Sequence, residues 1–283
     1  MPVKSFVEFV KRRGPGFKPL LVTLPHSGEL IPPEAAWLKA LPERLLMYDV
    51  DRYVDELYEP ILSKLGIPTV VAPYHRYACD LNRLASDVDE MSVIGSTNKR
   101  GMFPRGLHWA ITTEGEPLMP GPIPVETHRA ILARCFDPFH RAVCEVAGVV
   151  RRAHGANASL YHLDLHSMPS FGTREHRDPG SWRADLVVSN QDGKSSSSRF
   201  FQLVCEAGRA QGFTVAENWP YKGGRITEFY GRPAEGWETI QIELNRKLYM
   251  NEYTKRKNAL PFRETQLRVC RMLEQIEAQL SGM

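Results

Sequence analysis

The sequence predicts an α/β fold built on a mostly parallel sheet. Short apolar runs alternate with longer segments of helical spacing from residue 20 to residue 280, and this alternation is typical of layered α/β folds. The chain shows no internal repeat and no linker between domains, so we expect residues 1–283 to form a single domain. A domain of this size buries about 75% of its unfolded surface. It can therefore form a stable core without disulfides, a structural metal or a partner chain.

Six short apolar runs are predicted to be strands. The first covers residues 20–24 and ends at Pro25, which leads His26 into a turn. Short apolar runs bounded by Pro, Gly or polar residues are typical of buried strands. The other five lie at residues 69–72, 159–165, 185–189, 213–216 and 239–244.

Four longer segments have the spacing of amphipathic helices. They lie at residues 42–65, 126–153, 199–211 and 262–280. Residues 86–125 instead contain many Gly and Pro residues with little periodicity, and long ordered loops of this kind are usually functional. We interpret the four serines at 195–198 as the flexible start of a helix, with a phosphate-holding loop as the alternative.

The composition is that of an ordinary globular protein. Hydrophobic residues make up 42% and charged residues 24%, and the formal net charge is +3. The densest basic run, residues 255–257, is short and lacks interleaved aromatic residues, so nucleic-acid binding is not expected. Five widely spaced cysteines without a CxxC pair indicate free thiols. The sequence has neither the pattern of a signal peptide nor an apolar run of the roughly 20 residues that span a bilayer. We therefore expect a soluble cytoplasmic protein. The sequence does not predict its oligomeric state.

Three residues of types that bind ligands or metals lie at or within predicted strands. His26 follows the first strand, His166 ends another, and Glu243 lies within a third. Because ligands of open α/β sheets bind outside the carboxyl ends of strands, we expect these side chains to share one site.

The alternating segment from Tyr161 to His166 places three polar side chains, His162, Asp164 and His166, on one face of a core strand. Polar groups there are costly unless they are paired or bound to metal. A neutral imidazole is a good zinc ligand, and a carboxylate such as Asp164 can orient it through its second nitrogen. A hydrogen-bonded polar strand face is an equally weighted alternative.

Two further groups of possible metal ligands also have an ordinary structural explanation. His26 and Glu29 have a spacing that can supply two metal ligands, although such matches are common by chance. Asp49, Asp51 and Asp55 open a helical region, where acidic residues are usually caps or partners of the helix dipole.

Arg76, Asn82 and Arg83 follow the second strand and can grip a carboxylate, because Arg offers a two-pronged fork; a plain surface loop is the alternative. Glu243 shares the face of an apolar strand with Gln241. It fits a general base of raised pKa, or else a structural salt bridge.

Taken together, these segments resemble the N-formylglutamate amidohydrolase family. The matching elements occur in family order between residues 20 and about 252, and only the ordered set is specific. They are Pro25-His-Ser-Gly28, Asp49-Val-Asp51 with Asp55 and Leu57-Tyr58, Arg76 with Asp80-Leu-Asn-Arg83, Pro138-Phe-His140, Asp164-Leu-His-Ser167, Lys222-Gly-Gly224, Tyr230-Gly-Arg-Pro233, Gln241-Ile-Glu243 and Tyr249-Met-Asn-Glu252.

The resemblance implies a three-layer fold like that of the zinc carboxypeptidases and aspartoacylases, with a mixed sheet between helices. It implies one zinc ion held by His26, Asp51 and His166, with Glu29 as the rival of Asp51 for the second position. Two departures bear on substrate identity: Arg52 stands where a Trp often follows the acid, and the loop at 86–125 is not closely matched.

The resemblance also implies roles in hydrolysis. Glu243 is expected to be the general base and Arg76 to stabilise the oxyanion. Asn82 and Arg83 are expected to hold the α-carboxylate, and His140 and Lys222 to contact the distal carboxylate. The implied reaction converts N-formyl-L-glutamate to formate and L-glutamate in histidine degradation. The alternatives are a deacylase or peptidase for another N-acyl amino acid or small amide, and a non-catalytic relative that binds an anionic metabolite.

Overall fold

The computed structural model describes residues 18–155 and 158–280. A six-stranded sheet lies at its centre in the order β2-β1-β3-β6-β4-β5. All neighbouring strands are parallel except β4 and β6, which confirms the predicted mostly parallel mixed sheet. The strands are β1 Leu20–Leu24, β2 Thr69–Val71, β3 Leu160–Met168, β4 Leu186–Ser189, β5 Val215–Glu217 and β6 Trp237–Asn245.

Seven α-helices surround the sheet in the described part of the chain. They are α1 Glu43–Leu46, α2 Val54–Leu65, α3 Val125–Ile131, α4 Asp137–His154, α5 Ser198–Ala210, α6 Arg225–Tyr230 and α7 Ala259–Gln279. A π-helical turn, Leu132–Phe136, joins α3 to α4. A small hairpin of β7 Met250–Asn251 and β8 Arg256–Lys257 precedes α7. No helix in the described ranges is both long and apolar enough to cross a membrane.

The two faces of the sheet have different partners. Tyr161, Leu163 and Leu165 of β3 belong to a core shared with α2, α5 and α7. The alternate residues of β3 point to the other face, where α4 and α6 pack against the sheet. The result is the three-layer arrangement that the resemblance implied.

The predicted helix at 42–65 is wrong in its first half. The short α1 ends before a turn at residues 47–53, and Tyr53 has a left-handed backbone with φ of 69°. The carbonyl groups of Tyr48 and Asp49 accept hydrogen bonds from Arg246 at 3.0 and 3.2 Å. These contacts hold the turn in a non-helical conformation, and the turn carries Asp51 to the edge of the sheet.

The serine patch proves to be a helix cap. The hydroxyl of Ser197 accepts a hydrogen bond from the Phe200 amide at the start of α5, which is a common N-cap arrangement. This confirms residues 195–198 as the start of a helix. The predicted flexibility is wrong, because Ser195 is buried and donates to the Thr239 carbonyl at 2.8 Å.

The long segment between β2 and α3 forms turns and isolated bridges. The carboxylate of Asp89 orders part of it by accepting hydrogen bonds from the amides of Met91 and Phe103, both at 2.7 Å. The segment then returns to the sheet edge, where Trp109 and Thr113 line a cavity.

Candidate active site

The candidate active site lies at the carboxyl-terminal edge of the central sheet. His26 follows β1 by two residues, and His166 lies near the end of β3. Glu243 lies opposite His166 in the parallel register of β3 and β6. Asp51 reaches the same point from the turn before α2, where its amide donates to the His26 carbonyl at 3.1 Å. Four residues selected from the sequence therefore meet at the edge where ligands bind in such sheets.

Three of these side chains present possible ligand atoms to one another. Nδ1 of His166 lies 3.1 Å from Nδ1 of His26 and 3.1 Å from Oδ2 of Asp51. Nδ1 of His26 lies 3.6 Å from the same oxygen. In a tetrahedral zinc site, metal–ligand distances of about 2.0–2.1 Å separate the ligand atoms by about 3.3 Å. The spacing therefore fits one small metal ion.

The other ring nitrogen of each histidine is held by a buried aspartate. Nε2 of His26 lies 2.7 Å from Oδ1 of Asp80, and Nε2 of His166 lies 2.7 Å from Oδ2 of Asp164. Burial alone would raise the pKa of Asp80, but His26 and two neighbouring arginines hold that pKa well below its ordinary value. An ionised carboxylate accepts the hydrogen bond of the Nε2 proton, which leaves Nδ1 of each ring facing the centre of the cluster. Metal-binding histidines are commonly oriented in this way.

Asp51, and not Glu29, lies in this cluster. Oδ1 of Asp51 accepts hydrogen bonds from Arg246 at 3.0 Å and Ser167 at 3.1 Å, which leaves Oδ2 facing the histidines. Burial would raise the pKa of Asp51, but the hydrogen bonds of the two histidines hold it well below its ordinary value. Glu29 pairs with Arg52 at 2.7 Å, and its side chain is 38% exposed. The position of Asp51 therefore favours it over Glu29 as the second ligand. That Asp51 binds a metal stays a prediction.

Glu243 lies beside the cluster and lines the cavity. Its Oε1 accepts a hydrogen bond from Nε2 of Gln241 at 2.8 Å. Burial raises the pKa of Glu243 above its ordinary value, although the nearby His166 opposes the shift. A buried carboxylate of raised pKa can accept and return a proton near neutral pH. This position is compatible with the predicted general base.

Arg76 borders the cluster but is largely committed to other groups. Nη1 donates to the Asp49 carbonyl at 2.8 Å, and Nη2 donates to Oδ2 of Asp80 at 3.0 Å. The guanidinium lies over the Trp109 ring, 4.5 Å from its centroid. Its Nε is buried and has no hydrogen-bond partner among the described residues, while the side chain as a whole lines the cavity.

The cluster lines a cavity of about 430 Å³ that also contains Asn82 and Arg83. The Asn82 side chain is already engaged: Oδ1 accepts from the Ile226 amide at 2.7 Å, and Nδ2 donates to Gln241 at 3.3 Å. Asn82 therefore fixes the start of α6. Within the described residues, Arg83 donates only to the main-chain carbonyl groups of Arg105 and Asn82, so its guanidinium keeps donors for a carboxylate.

The two residues predicted to contact the distal carboxylate are placed less favourably. His140 does not line the cavity; it lies on α4, with Nδ1 2.9 Å from the Tyr230 hydroxyl and its ring against Phe136. Burial lowers the pKa of His140 to about 4, so this ring is neutral. Because the ring does not line the cavity, a ligand bound there does not contact it. Lys222 lines the cavity, but its Nζ pairs with Asp192 at 2.6 Å and its side chain is 44% exposed. The structure corrects the placement of His140 and leaves Lys222 tied to a surface carboxylate.

Comparison with known proteins identifies the family. A family model described as N-formylglutamate amidohydrolase matches residues 18–250. The chain belongs to the N-formylglutamate amidohydrolase family. The resemblance drawn from the ordered motifs is thereby confirmed.

Relatives of this family member are similar along most of its length. A protein of Pseudomonas aeruginosa named N-formylglutamate deformylase is 31% identical over 244 residues, covering 84% of each chain. Another of that name, from Pseudomonas putida, is 29% identical over 248 residues, again covering 84% of each. The prediction of an amidohydrolase enzyme is confirmed at the level of the family.

Solved structures confirm the fold of the family member. The crystal structure of N-formylglutamate amidohydrolase from Ralstonia eutropha JMP134 has a TM-score of 0.80 at 28% identity, covering 94% of this chain and 96% of that one. A gene product of Agrobacterium tumefaciens, at 17% identity and a TM-score of 0.67, shares the fold, with 94% and 91% covered.

Two residues of this amidohydrolase's site were missed by sequence reasoning. Arg246 donates to Asp51 and, through Nε, to the Ser167 hydroxyl at 3.0 Å. Trp109 donates its indole N–H to Oδ2 of Asp80 at 2.9 Å. Arg246 directly follows β6, so its position at a strand end was an available signal. Trp109 offered none, because its contact depends on the path of the long loop.

His162, which had no assigned role, belongs to the buried polar face of β3. Its Nε2 lies 2.9 Å from the Thr23 hydroxyl, and that hydroxyl donates to Oδ1 of Asp164 at 2.6 Å. Burial lowers the pKa of His162 to about 4, so the ring is neutral. Both interpretations of this strand therefore apply, the candidate metal cluster to His166 and the hydrogen-bonded polar face to His162.

Proposed function

We propose that this amidohydrolase removes the formyl group of N-formyl-L-glutamate with a zinc ion, giving formate and L-glutamate. The observation that carries the proposal is the convergence of three possible ligand atoms, His26 Nδ1, His166 Nδ1 and Asp51 Oδ2, which lie 3.1–3.6 Å from one another. The names of the two Pseudomonas relatives support the substrate.

The residues of the cluster suit zinc in kind as well as in spacing. Two imidazole nitrogens and a carboxylate oxygen are a donor set of catalytic zinc sites. Three such acceptors pointing at one another would repel unless a cation or proton lay between them. Bound zinc would polarise the amide carbonyl and lower the pKa of water at its open position toward about 7.

Glu243 is the residue proposed to move the proton. Its carboxylate takes the proton of the attacking water and returns it to the nitrogen of the leaving glutamate. Gln241 holds Oε1 at 2.8 Å and thereby fixes the orientation of the carboxylate. Hydrolysis needs the same group to act first as a base and then as an acid, which a raised pKa favours.

Arg76 and Arg83 are proposed to place and polarise the substrate. The guanidinium of Arg76 lines the cavity beside the cluster, so its positive charge can stabilise negative charge that develops on the carbonyl oxygen. Arg83 holds the α-carboxylate through its free donors, and holding the substrate at one end keeps the scissile amide beside the cluster.

The substitution Glu243→Gln tests the proposal. The amide keeps the shape of the side chain but cannot accept the proton, so we expect unchanged zinc content and a fall in kcat of at least about 100-fold. Glu29→Gln is the matched control, because Glu29 lies outside the cluster, and it should retain wild-type turnover. The measurements are metal content and glutamate release from N-formyl-L-glutamate by zinc-loaded protein.

Two results would contradict the proposal separately. Near wild-type turnover by Glu243→Gln would remove this residue from the mechanism. A zinc-loaded wild type that releases amine from N-acetyl or N-carbamoyl amino acids, and not from N-formyl-L-glutamate, would favour the alternative of a deacylase with another acyl preference.

A further inference from the structure

The arginines around the cavity differ in how many of their donors the protein already uses. Arg183 forms a two-pronged pair with Asp178, at 2.8 and 2.7 Å, and Nη1 donates to Tyr221 and to the Pro169 carbonyl. Arg246 donates through all three nitrogens to protein oxygens. These two guanidinium groups therefore maintain the wall of the cavity and have little left for a ligand.

Arg83 and Arg105, by contrast, keep guanidinium donors that the protein does not use. Both line the cavity, and Arg83 Nε donates to the Arg105 carbonyl at 3.0 Å, so the two residues are held side by side. The main chain of Arg105 also bridges to Trp109, whose indole holds Asp80. The backbone of Arg105 is thus fixed relative to the candidate metal cluster.

The guanidinium of Arg105 has one weak partner. Its Nη1 lies 3.5 Å from Oε2 of Glu175, whereas charged N–H to carboxylate bonds are about 2.7–2.9 Å long. No other hydrogen bond of this side chain occurs among the described residues. The side chain is 22% exposed, so ordering it on a ligand costs less than ordering a fully exposed arginine.

We propose that Arg105 binds the side-chain carboxylate of the substrate and so sets a preference for N-acyl amino acids with acidic side chains. The inference rests on the proposed function, in which Arg83 holds the α-carboxylate. A dicarboxylate needs a second cationic group, and Arg105 lies next to Arg83 with free donors. It takes the place expected for His140, which lies outside the cavity, and for Lys222, which is paired with Asp192.

The test compares two substrates that differ only in that side-chain charge, N-formyl-L-glutamate and N-formyl-L-glutamine. For Arg105→Gln we expect kcat/KM on the glutamate substrate to fall about 10–100-fold, mainly through KM, because one charge-assisted hydrogen-bonded contact is lost. On the glutamine substrate kcat/KM should change less than about threefold. The ratio of the two values should therefore collapse in the variant.

Arg174→Gln is the matched control. Arg174 lies 3.5 Å from Oε1 of the same Glu175 and is 89% exposed, so this variant removes the same charge near the same carboxylate without altering the cavity lining. Its substrate ratio should equal that of the wild type. Thermal unfolding of each variant shows whether a loss reflects folding.

Three results would overturn the inference. The first is a ratio that Arg105→Gln leaves unchanged, as when both substrates lose equally. The second is a ratio that Arg105→Gln leaves unaffected while kcat/KM on both substrates also stays at the wild-type value. The third is a larger collapse of the ratio in Arg177→Gln than in Arg105→Gln, since Arg177 is the exposed arginine that also lines the cavity. If the wild type hydrolyses N-formyl-L-glutamate and the ratio does not respond to Arg105, only this inference fails. A zinc-loaded wild type that hydrolyses neither substrate would overturn the proposed function together with it.

Discussion

His26 and His166 turn the same ring nitrogen toward each other, with their Nδ1 atoms 3.1 Å apart. Each ring is fixed from behind by its own aspartate, at 2.7 Å in both cases. Two neutral rings that donate from Nε2 to a carboxylate would bring two lone pairs into contact. A positive charge between them, whether a metal ion or a proton, would resolve that conflict, and the arrangement therefore suits the proposed zinc ion.

Replacing the aspartate behind His166 should weaken metal binding without removing a ligand. In Asp164→Asn the carboxamide can donate to Nε2 instead of accepting from it, which no longer fixes the ring in the orientation and tautomer that suit a metal. Loss of such a partner typically costs 10–100-fold in metal affinity. The zinc dissociation constant, measured in competition with a chromophoric chelator, should rise by about that factor.

The control for this experiment is Thr23→Val. Thr23 donates to the other oxygen of Asp164 at 2.6 Å, so its loss leaves the contact between Asp164 and His166 in place. A zinc affinity that falls more in Thr23→Val than in Asp164→Asn would contradict the orienting role of the carboxylate.

Metal analysis of Asp51→Ala beside Glu29→Ala should separate the two candidates for the second ligand. Asp51 contributes Oδ2 to the cluster, whereas Glu29 pairs with Arg52 at the surface. We expect Asp51→Ala to lose most bound zinc and Glu29→Ala to keep about one ion per chain, as measured by emission spectrometry after dialysis. Full occupancy in the first variant and loss in the second would reverse the assignment.

The close approach of α6 to the loop after β2 predicts a damaging substitution at Gly224. A Cβ at this position would overlap the side-chain amide of Asn82, which holds the first turn of α6 through the Ile226 amide. Overpacking of this kind typically costs about 1–3 kcal/mol. Gly224→Ala should lower the free energy of unfolding in urea by about that amount and reduce activity.

Gly121→Ala is its control, because a Cβ at Gly121 meets nothing within 4 Å. Its unfolding free energy should stay within about 0.5 kcal/mol of wild type. Equal stability of the two variants would show that α6 moves freely away from Asn82.

The buried neutral His162 predicts a loss of stability in acid. Burial lowers its pKa from 6.5 to about 4, so between these values the unfolded chain binds a proton that the folded protein does not. This contribution is fully present above pH 6.5 and is lost as the pH falls toward about 4, at up to about 1.4 kcal/mol per pH unit. The gap in unfolding free energy between wild type and His162→Gln should therefore narrow over this range. Parallel curves for the two proteins would show that His162 is already protonated when folded.

Much of the sheet and of the cluster could be predicted because burial makes polar residues conspicuous. His26, His166 and Glu243 interrupt or end apolar strands, and the parallel order of the sheet then brings them together. The choice of Asp51 over Glu29 did not follow from spacing. It depends on the turn at residues 47–53, which contacts from the distant Arg246 hold open.

The two wrong predictions, the first half of the helix over residues 42–65 and the place of His140, also depend on contacts between distant residues. Residues 42–65 have helical spacing throughout, but backbone hydrogen bonds to Arg246 outweigh local propensity in the first half. We expect His140 at the substrate because it belongs to an ordered motif, yet its neighbours on α4 and the hydroxyl of Tyr230 hold it in the helix layer, outside the cavity. Contacts between residues about 90–200 positions apart leave no local trace in the sequence.

The pairing of β3 with β6 limits how this enzyme can diverge. His162, Asp164 and His166 lie opposite Thr239, Gln241 and Glu243, pair by pair. Inserting or deleting one residue within either strand would turn every polar side chain beyond that point into the apolar core and bring leucine and isoleucine to the cavity. Side chains in these strands can therefore be exchanged more readily than the strand length can change. The loop that follows β2, which carries Arg105, can vary in sequence and length without disturbing this register.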